Sequence, residues 1–198
     1  LWYCETISAT NPCGEIPLPP YGACNLGSIN LTRFVRDPFS AQAAVDLEGI
    51  AGTAAVATRL LDNIYEASQF PLPQQRAVAH ASRRIGLGIT GLADALVMLG
   101  IEYGTPRSLE LAGGLMRTIC HGAYRASIGL AREKGAFPQF RAAEYTQGEF
   151  VSKLPRSVVD DIRRYGIRNS HLTAIAPAGT ISLLAGNVSS GLEPIYAA

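Results

Sequence analysis

The residues best equipped for chemistry lie close together near the start of the chain: Asn11-Pro12-Cys13-Gly14-Glu15, with a second thiol at Cys24. In an extended loop, residues two apart point the same way. Asn11, Cys13 and Glu15 are therefore expected to face one cavity, with Pro12 and Gly14 shaping the backbone. An amide that donates and accepts, a thiol and a carboxylate would meet there. That set suits a thiolate nucleophile or a hydrogen-atom donor. A thiolate enzyme wants a histidine or a positive field to lower the thiol pKa, and no His or Lys lies near this loop in sequence. On spacing alone, an ordinary turn cysteine beside an exposed glutamate is the simpler reading.

Two further segments invite a chemical reading. His171 to Ser182 (HLTAIAPAGTIS) reads as a strand, a tight turn and a helix start, where backbone N–H groups make an anion site; an ordinary strand-to-helix turn fits the same residues. Gly86, Gly88 and Gly91 spell the G-x-G-x-x-G dinucleotide fingerprint. We reject a nicotinamide site because the preceding HASRRI is polar rather than a buried strand, and no acidic strand end follows about 20 residues on. These glycines are expected to permit close strand-to-helix packing. Cys120 falls beside an apolar helical stripe and reads as a core thiol, and His80 and His121 as helix-surface residues. Glu193 and Asn187 sit in loop sequence without a clear role.

Around these loops the patterning is α/β. Residues 1–8 are rich in aromatic and β-branched types, as in a strand or its approach. Residues 9–25 are punctuated by Pro and Gly, with four prolines forbidding a regular ladder, and Ile16, Leu18 and Tyr21 suggest a loop packed inside the protein. Helical spacing of apolar residues predicts helices over 46–67 with Asp46 as N-cap, 73–82, 92–99 ended by Gly100, 108–132 and 158–165 closed at Gly166. The stripe of the long helix is Leu109, Ala112, Met116, Ile119, Ala123, Ser127 and Leu130. Apolar runs at 85–89 and 171–176 are expected to be strands of a parallel sheet.

Bulk properties narrow the classes. With 198 residues, 47% hydrophobic and 17% charged, the chain is expected to bury a sizeable core. A net charge of +1 with scattered basic residues leaves no footprint for nucleic acid or an anionic membrane, and no apolar run approaches the ~20 residues of a membrane span. Cys4, Cys13, Cys24 and Cys120 include no C-x-x-C pair, and the histidines are spread out, so neither a disulfide scaffold nor a metal site is expected. The thiols read as reduced, hence cytoplasmic. The chain opens at Leu1 and stops in an apolar stretch, Leu192 to Ala198, so both ends read as cut from something longer.

The run NPCGEIPLPPYGACNLGSINL closely resembles the active-site segment of ribonucleotide reductases, especially the adenosylcobalamin-dependent class II enzymes. FPLPQQ, RRIGLGITGLADAL, LAREKGAFP and GIRNSHLTAIAPAGTISLLAGNVSSGLEP resemble the same family in the same order, so the likeness covers essentially the whole chain. The resemblance implies part of a ten-stranded α/β barrel over residues 1–198, with a central finger loop carrying a radical cysteine at Cys13. It implies that the Cys13 thiyl abstracts the 3′ hydrogen of a ribonucleotide, that Glu15 takes the 3′-hydroxyl proton, and that Asn11 positions the ribose hydroxyls. Cys24 corresponds to one of two reducing cysteines, and neither Cys4 nor Cys120 matches the other. Ala178, Gly179, Thr180 and Ile181 correspond to the substrate-phosphate loop, where relatives often carry Thr in place of Ala178. The implied cofactor is adenosylcobalamin. The implied partners are a ribonucleoside di- or triphosphate, a thioredoxin-like reductant and, in the full-length protein, a second copy of the chain. The alternatives are a class I large subunit, radicalised by a separate subunit, and an inactive piece that needs other segments. A thiol that gives up a hydrogen atom needs no thiolate-stabilising neighbour, and burial would protect its radical. With strand edges unpaired, the isolated chain is expected to be inactive and poorly soluble.

Overall fold

A computed structural model describes residues 1–194; the apolar chain end at 195–198 lies outside the described residues. The elements in chain order are β1 (Ala9–Thr10), β2 (Pro17–Leu18), β3 (Asn25–Asn30), β4 (Val35–Arg36), β5 (Ala44–Val45), α1 (Leu47–Ala67), α2 (Pro73–Ser82), β6 (Ile85–Thr90), α3 (Leu92–Met98), α4 (Pro106–Lys134), α5 (Ala142–Gln147), α6 (Glu149–Ser152), α7 (Arg156–Tyr165) and α8 (Gly179–Leu184).

The helices follow their capping and spacing signals closely. Asp46 caps α1 by accepting from the Gly49 N–H at 3.0 Å. Pro73 starts α2, where the missing N–H costs nothing. The long helix α4 buries Leu115, Ile119, Ala123, Ile128 and Leu130 and packs against α1 and α7. Its expected stripe is rotated at the start: Leu109 is exposed and Ser108 is buried instead.

β3 and β6 pair in parallel, with Asn25 opposite Ile85 and Asn30 opposite Thr90. A third segment joins β6 through a parallel bridge between Leu87 and Thr173. The Leu87 N–H donates to Leu172 O at 2.8 Å, and Ala174 N–H donates to Leu87 O at 3.2 Å. β6 is buried at all six positions, as a central parallel strand covered on both faces should be. Among the described residues there is mixed α/β structure but no closed barrel. The strand expected over 171–176 is reduced to this one bridge.

Three local expectations need correction. Residues 1–8 form no strand: Trp2 to Cys4 make a turn, closed by Cys4 and Glu5 N–H groups donating to Leu1 O. The loop over 9–25 does contain a ladder, the short antiparallel hairpin β1–β2, and its tip faces solvent rather than the interior. The glycines of β6 serve strand-to-strand contact, not strand-to-helix contact. A Cβ on Gly88 would stand 2.2 Å from Ala174 O, and one on Gly86 would stand 3.0 Å from Ala174 Cβ. No side chain fits where these backbones cross.

Candidate active site

The hairpin carries the polar loop. Asn11 N–H donates to Ile16 O at 3.1 Å, and Ile16 N–H donates back to Asn11 Oδ1 at 2.9 Å. Gly14, at φ +88°, closes the turn with its N–H on Asn11 O, a backbone conformation that favours glycine. The turn breaks the two-residue alternation on which the shared face was predicted. Glu15 and Ile16 reach a cavity of about 380 Å³, whereas Asn11 and Cys13 do not line it. Cys13 is exposed at the tip, so within this chain the thiol is not protected by burial. The Asn11 carboxamide oxygen is already engaged in closing the hairpin.

Cys24, just before β3, lines the same cavity as Glu15. Gly86 makes room for it, since a Cβ there would lie 3.4 Å from Cys24 Sγ. Burial pushes the Cys24 thiol up to about 12; the Arg84 guanidinium pulls the other way and the Glu15 charge adds to the rise. All four cysteines are free thiols.

Arg84 is the residue that sequence reading passed over. HASRRI is polar but not exposed: Ser82, Arg83 and Arg84 are all buried. Arg83 adopts a left-handed conformation (φ +47°) that ends α2, and the two arginines point to opposite sides. Its guanidinium binds Asp62 at 2.8 Å and Glu66 at 2.7 Å behind the sheet. Arg84 enters the cavity and pairs with Glu5 at 2.8 Å, both side chains almost fully buried. Three buried polar atoms here have no partner within the protein: Arg84 Nη1, Glu5 Oε1 and Glu15 Oε2. His171 completes the lining, its Nδ1 on Ser170 Oγ at 2.9 Å. Burial first, then the charge of Arg84, push its pKa down to about 3, so the ring is neutral. A neighbouring cavity of about 390 Å³ shares His171 and Thr173 but is walled by Tyr3, Tyr124, Tyr145 and Phe150 and holds no thiol.

At the second predicted site, α8 begins at Gly179, and Gly179, Thr180 and Ile181 are exposed. Ala178 is buried, and its N–H is spent on Ser190 O at 2.8 Å. The available donors at this turn are therefore those of the residues after Ala178. Glu193 turns back onto Ser190 Oγ at 2.6 Å, a local closure of its own loop.

The fold is thus a parallel α/β unit that brings a thiol and a carboxylate to one largely apolar cavity, with a second thiol at the tip of an adjoining hairpin. The chain belongs to the ribonucleotide reductase barrel-domain family, whose description it matches over residues 1–198. It is 44% identical to the vitamin B12-dependent ribonucleoside-diphosphate reductase of Mycobacterium tuberculosis over 96% of this chain and 24% of that protein. It is 41% identical to the enzyme of the same name from Thermoplasma acidophilum, over 96% of this chain and 22% of that protein. The ribonucleoside-diphosphate reductase subunit alpha of Synechocystis sp. is 33% identical over 98% of this chain and 24% of that protein. The chain thus spans about a quarter of the length of these relatives.

Proposed function

We propose that the chain is part of the catalytic barrel domain, over residues 1–198, of an enzyme that reduces ribonucleotides to 2′-deoxyribonucleotides by a thiyl-radical mechanism. The observation that carries this is the convergence of Glu15 and Cys24 on one cavity in a chain of this family. Glu15 presents a carboxylate oxygen that no protein group satisfies, as a base awaiting a substrate hydroxyl requires. Cys13 stands two residues away at the hairpin tip, its Cα at most about 7 Å from that of Glu15. In this reading Cys13 takes the 3′ hydrogen atom, Glu15 accepts the 3′-hydroxyl proton, and Cys24 supplies one of the two reducing equivalents. The second thiol and the thioredoxin-like reductant come from outside this chain, and the full-length protein works as a homodimer in the cytoplasm. Asn11 holds the ribose hydroxyls through the face of its amide not spent on the hairpin, and Gly179, Thr180 and Ile181 receive the phosphates.

The more similar relatives carry vitamin B12 dependence in their names, and we infer adenosylcobalamin for the full-length protein. When bound, it supplies the radical that Cys13 receives. The hairpin tip is open to such an approach: nothing lies within 4 Å of where a Cβ on Gly14 would stand. Among the described residues no helix is long and apolar enough to cross a membrane.

The test is turnover of the full-length protein with and without adenosylcobalamin, beside a Cys13→Ser variant. Reduction that needs the cofactor and vanishes in the variant is the expected result. Residual turnover by the variant overturns the radical role. Turnover without the cofactor, driven by an added radical-bearing subunit, replaces it with the class I reading.

A further inference from the structure

We propose that Arg84, poised by Glu5, is a positioning residue that sets the reactivity of Cys24. This rests on the reading of Cys24 as a reductant, but its test does not use turnover. The geometry is specific. Arg84 is the cationic side chain lining the cavity that holds Cys24 and Glu15. Its side chain is 2% exposed, and only Nη2 is used, on Glu5. Nη1 remains a buried donor without a protein partner. The residue's backbone is anchored on both sides. The Arg84 carbonyl accepts from Tyr65 OH and from the Asn25 N–H, and the left-handed Arg83 is held by the buried Asp62. Cys24 precedes Asn25 directly, so the guanidinium and the thiol hang from adjoining, hydrogen-bonded strand starts.

A disulfide is reopened by exchange: an incoming thiolate attacks one of its sulfurs, a new S–S bond forms as the old one breaks, and the electron pair leaves on the displaced sulfur. When Cys24 ends a turnover in a disulfide, its release by an incoming dithiol makes it the leaving sulfur, which must carry negative charge. A buried thiol is poor at this. The groups facing it are Arg84, Glu15, the neutral His171 and Tyr65, with Glu5 acting through Arg84. Of these side chains Arg84 alone carries the compensating positive charge. Glu5 restrains that charge by holding one edge of the guanidinium, and the free Nη1 edge is left for the sulfur. Glu5 thus serves as a counterweight: it makes burial of the arginine tolerable while leaving part of its field uncancelled.

The experiment is alkylation of Cys24 in the full-length protein between pH 7 and 10, quantified on the Cys24 peptide by mass spectrometry. Arg84→Gln should slow alkylation of Cys24 about tenfold at pH 8.5, a one-unit rise in midpoint, while Cys120, shifted by burial alone, keeps its rate. Arg84→Lys should restore the rate to within about threefold, because the charge returns without the fork. Glu5→Gln should move Cys24 the opposite way, accelerating it several-fold. A purely structural role predicts that both Arg84→Gln and Glu5→Gln loosen the cavity and accelerate every buried thiol together. That result, or an unchanged Cys24 profile in Arg84→Gln, overturns the proposal. Loss of deoxyribonucleotide synthesis in Cys24→Ser tests the reductant reading separately.

Discussion

Gly88→Ala is the sharpest probe of how the sheet is built. Gly88 sits mid-strand in β6, where a Cβ would lie 2.2 Å from Ala174 O and 3.3 Å from Ala174 C. Carbon and carbonyl oxygen approach no closer than about 3.3 Å, so the backbone of residues 173–175 would have to retreat by about 1 Å. Overpacking of this kind costs about 1–3 kcal/mol. The retreat also strains the Leu87-to-Leu172 and Ala174-to-Leu87 hydrogen bonds, each worth about 1 kcal/mol. A loss of about 3–5 kcal/mol is expected, read as a lower Tm and faster local exchange. The assay is thermal unfolding of the full-length protein, with hydrogen exchange at the Leu87 and Ala174 amides as the local reading. Gly113→Ala in α4 is the control: nothing lies within 4 Å of its Cβ, and helix propensity predicts a gain of about 0.5–1 kcal/mol. If Gly88→Ala unfolds within 2 °C of the parent and leaves both amides protected, the crossing is not as tight as argued. An open phosphate turn of the dinucleotide type would behave that way.

Other consequences follow from the buried charges and the cavity. Asp62→Ala leaves Arg83, Arg168 and Asn169 without their shared acceptor and should cost about 3–5 kcal/mol in denaturant unfolding; a loss under 1 kcal/mol would refute its role as the hub. Asp62 is buried, which raises its pKa, but Arg83, Arg168 and Asn169 outweigh this and hold it below the usual carboxylate value. Its contribution is therefore complete above about pH 4 and lost as the pH falls further. His171, depressed to about 3, gives stability that is full above its unfolded pKa of about 6.5 and declines on acidification toward pH 3. Unfolding free energy should thus fall between pH 6.5 and 4, and His171→Gln should flatten that slope; a parallel slope in the variant would exclude His171 as its source. Glu15→Gln should keep Cys24 in place yet lower turnover of the full-length protein by about a hundredfold or more, with substrate affinity little changed; normal turnover would remove Glu15 from proton transfer.

The helices were legible because their signals are local. Asp46, Pro73, Gly100 and Gly166 mark ends where the structure puts them, since capping is settled by a few adjacent residues. β6 was legible as an apolar run, but β3 was not. Asn25 to Asn30 (NLGSIN) mixes polar, small and apolar residues without a two-residue period, and it pairs in parallel with β6 far away in sequence. The hairpin at the polar loop was obscured by its prolines, which fall at the turn and strand ends rather than within a long ladder. α5 and α6 are too short to show a period, and they are held by tertiary contacts such as Tyr145 OH on Ser170 O.

The candidate site divides along the same line. Asn11, Cys13 and Glu15 stood out by residue type and spacing and Cys24 by the family resemblance, yet period-two reasoning put Asn11 and Cys13 on the cavity with Glu15: the tight turn at Gly14 breaks that alternation, and the cavity unites Glu15 with Cys24 instead. Arg84 was hidden because Arg83-Arg84 looks like solvated charge. Both are buried only because each finds an acid from another element, Asp62 from α1 and Glu5 from the N-terminal turn. Consecutive side chains of an extended chain point to opposite faces, and Arg83, at φ +47°, is where the chain leaves α2 for β6. The residue that ends α2 is therefore followed directly by the positive charge beside Cys24. The backbone and the ion pair can be separated: Arg83→Gly, which tolerates the left-handed backbone but drops the Asp62 pair, should cost stability while leaving the Cys24 alkylation profile near that of the parent. If that profile instead shifts as far as in Arg84→Gln, the left-handed backbone does not by itself hold Arg84 at the thiol, and the Asp62 network must be counted as part of the site.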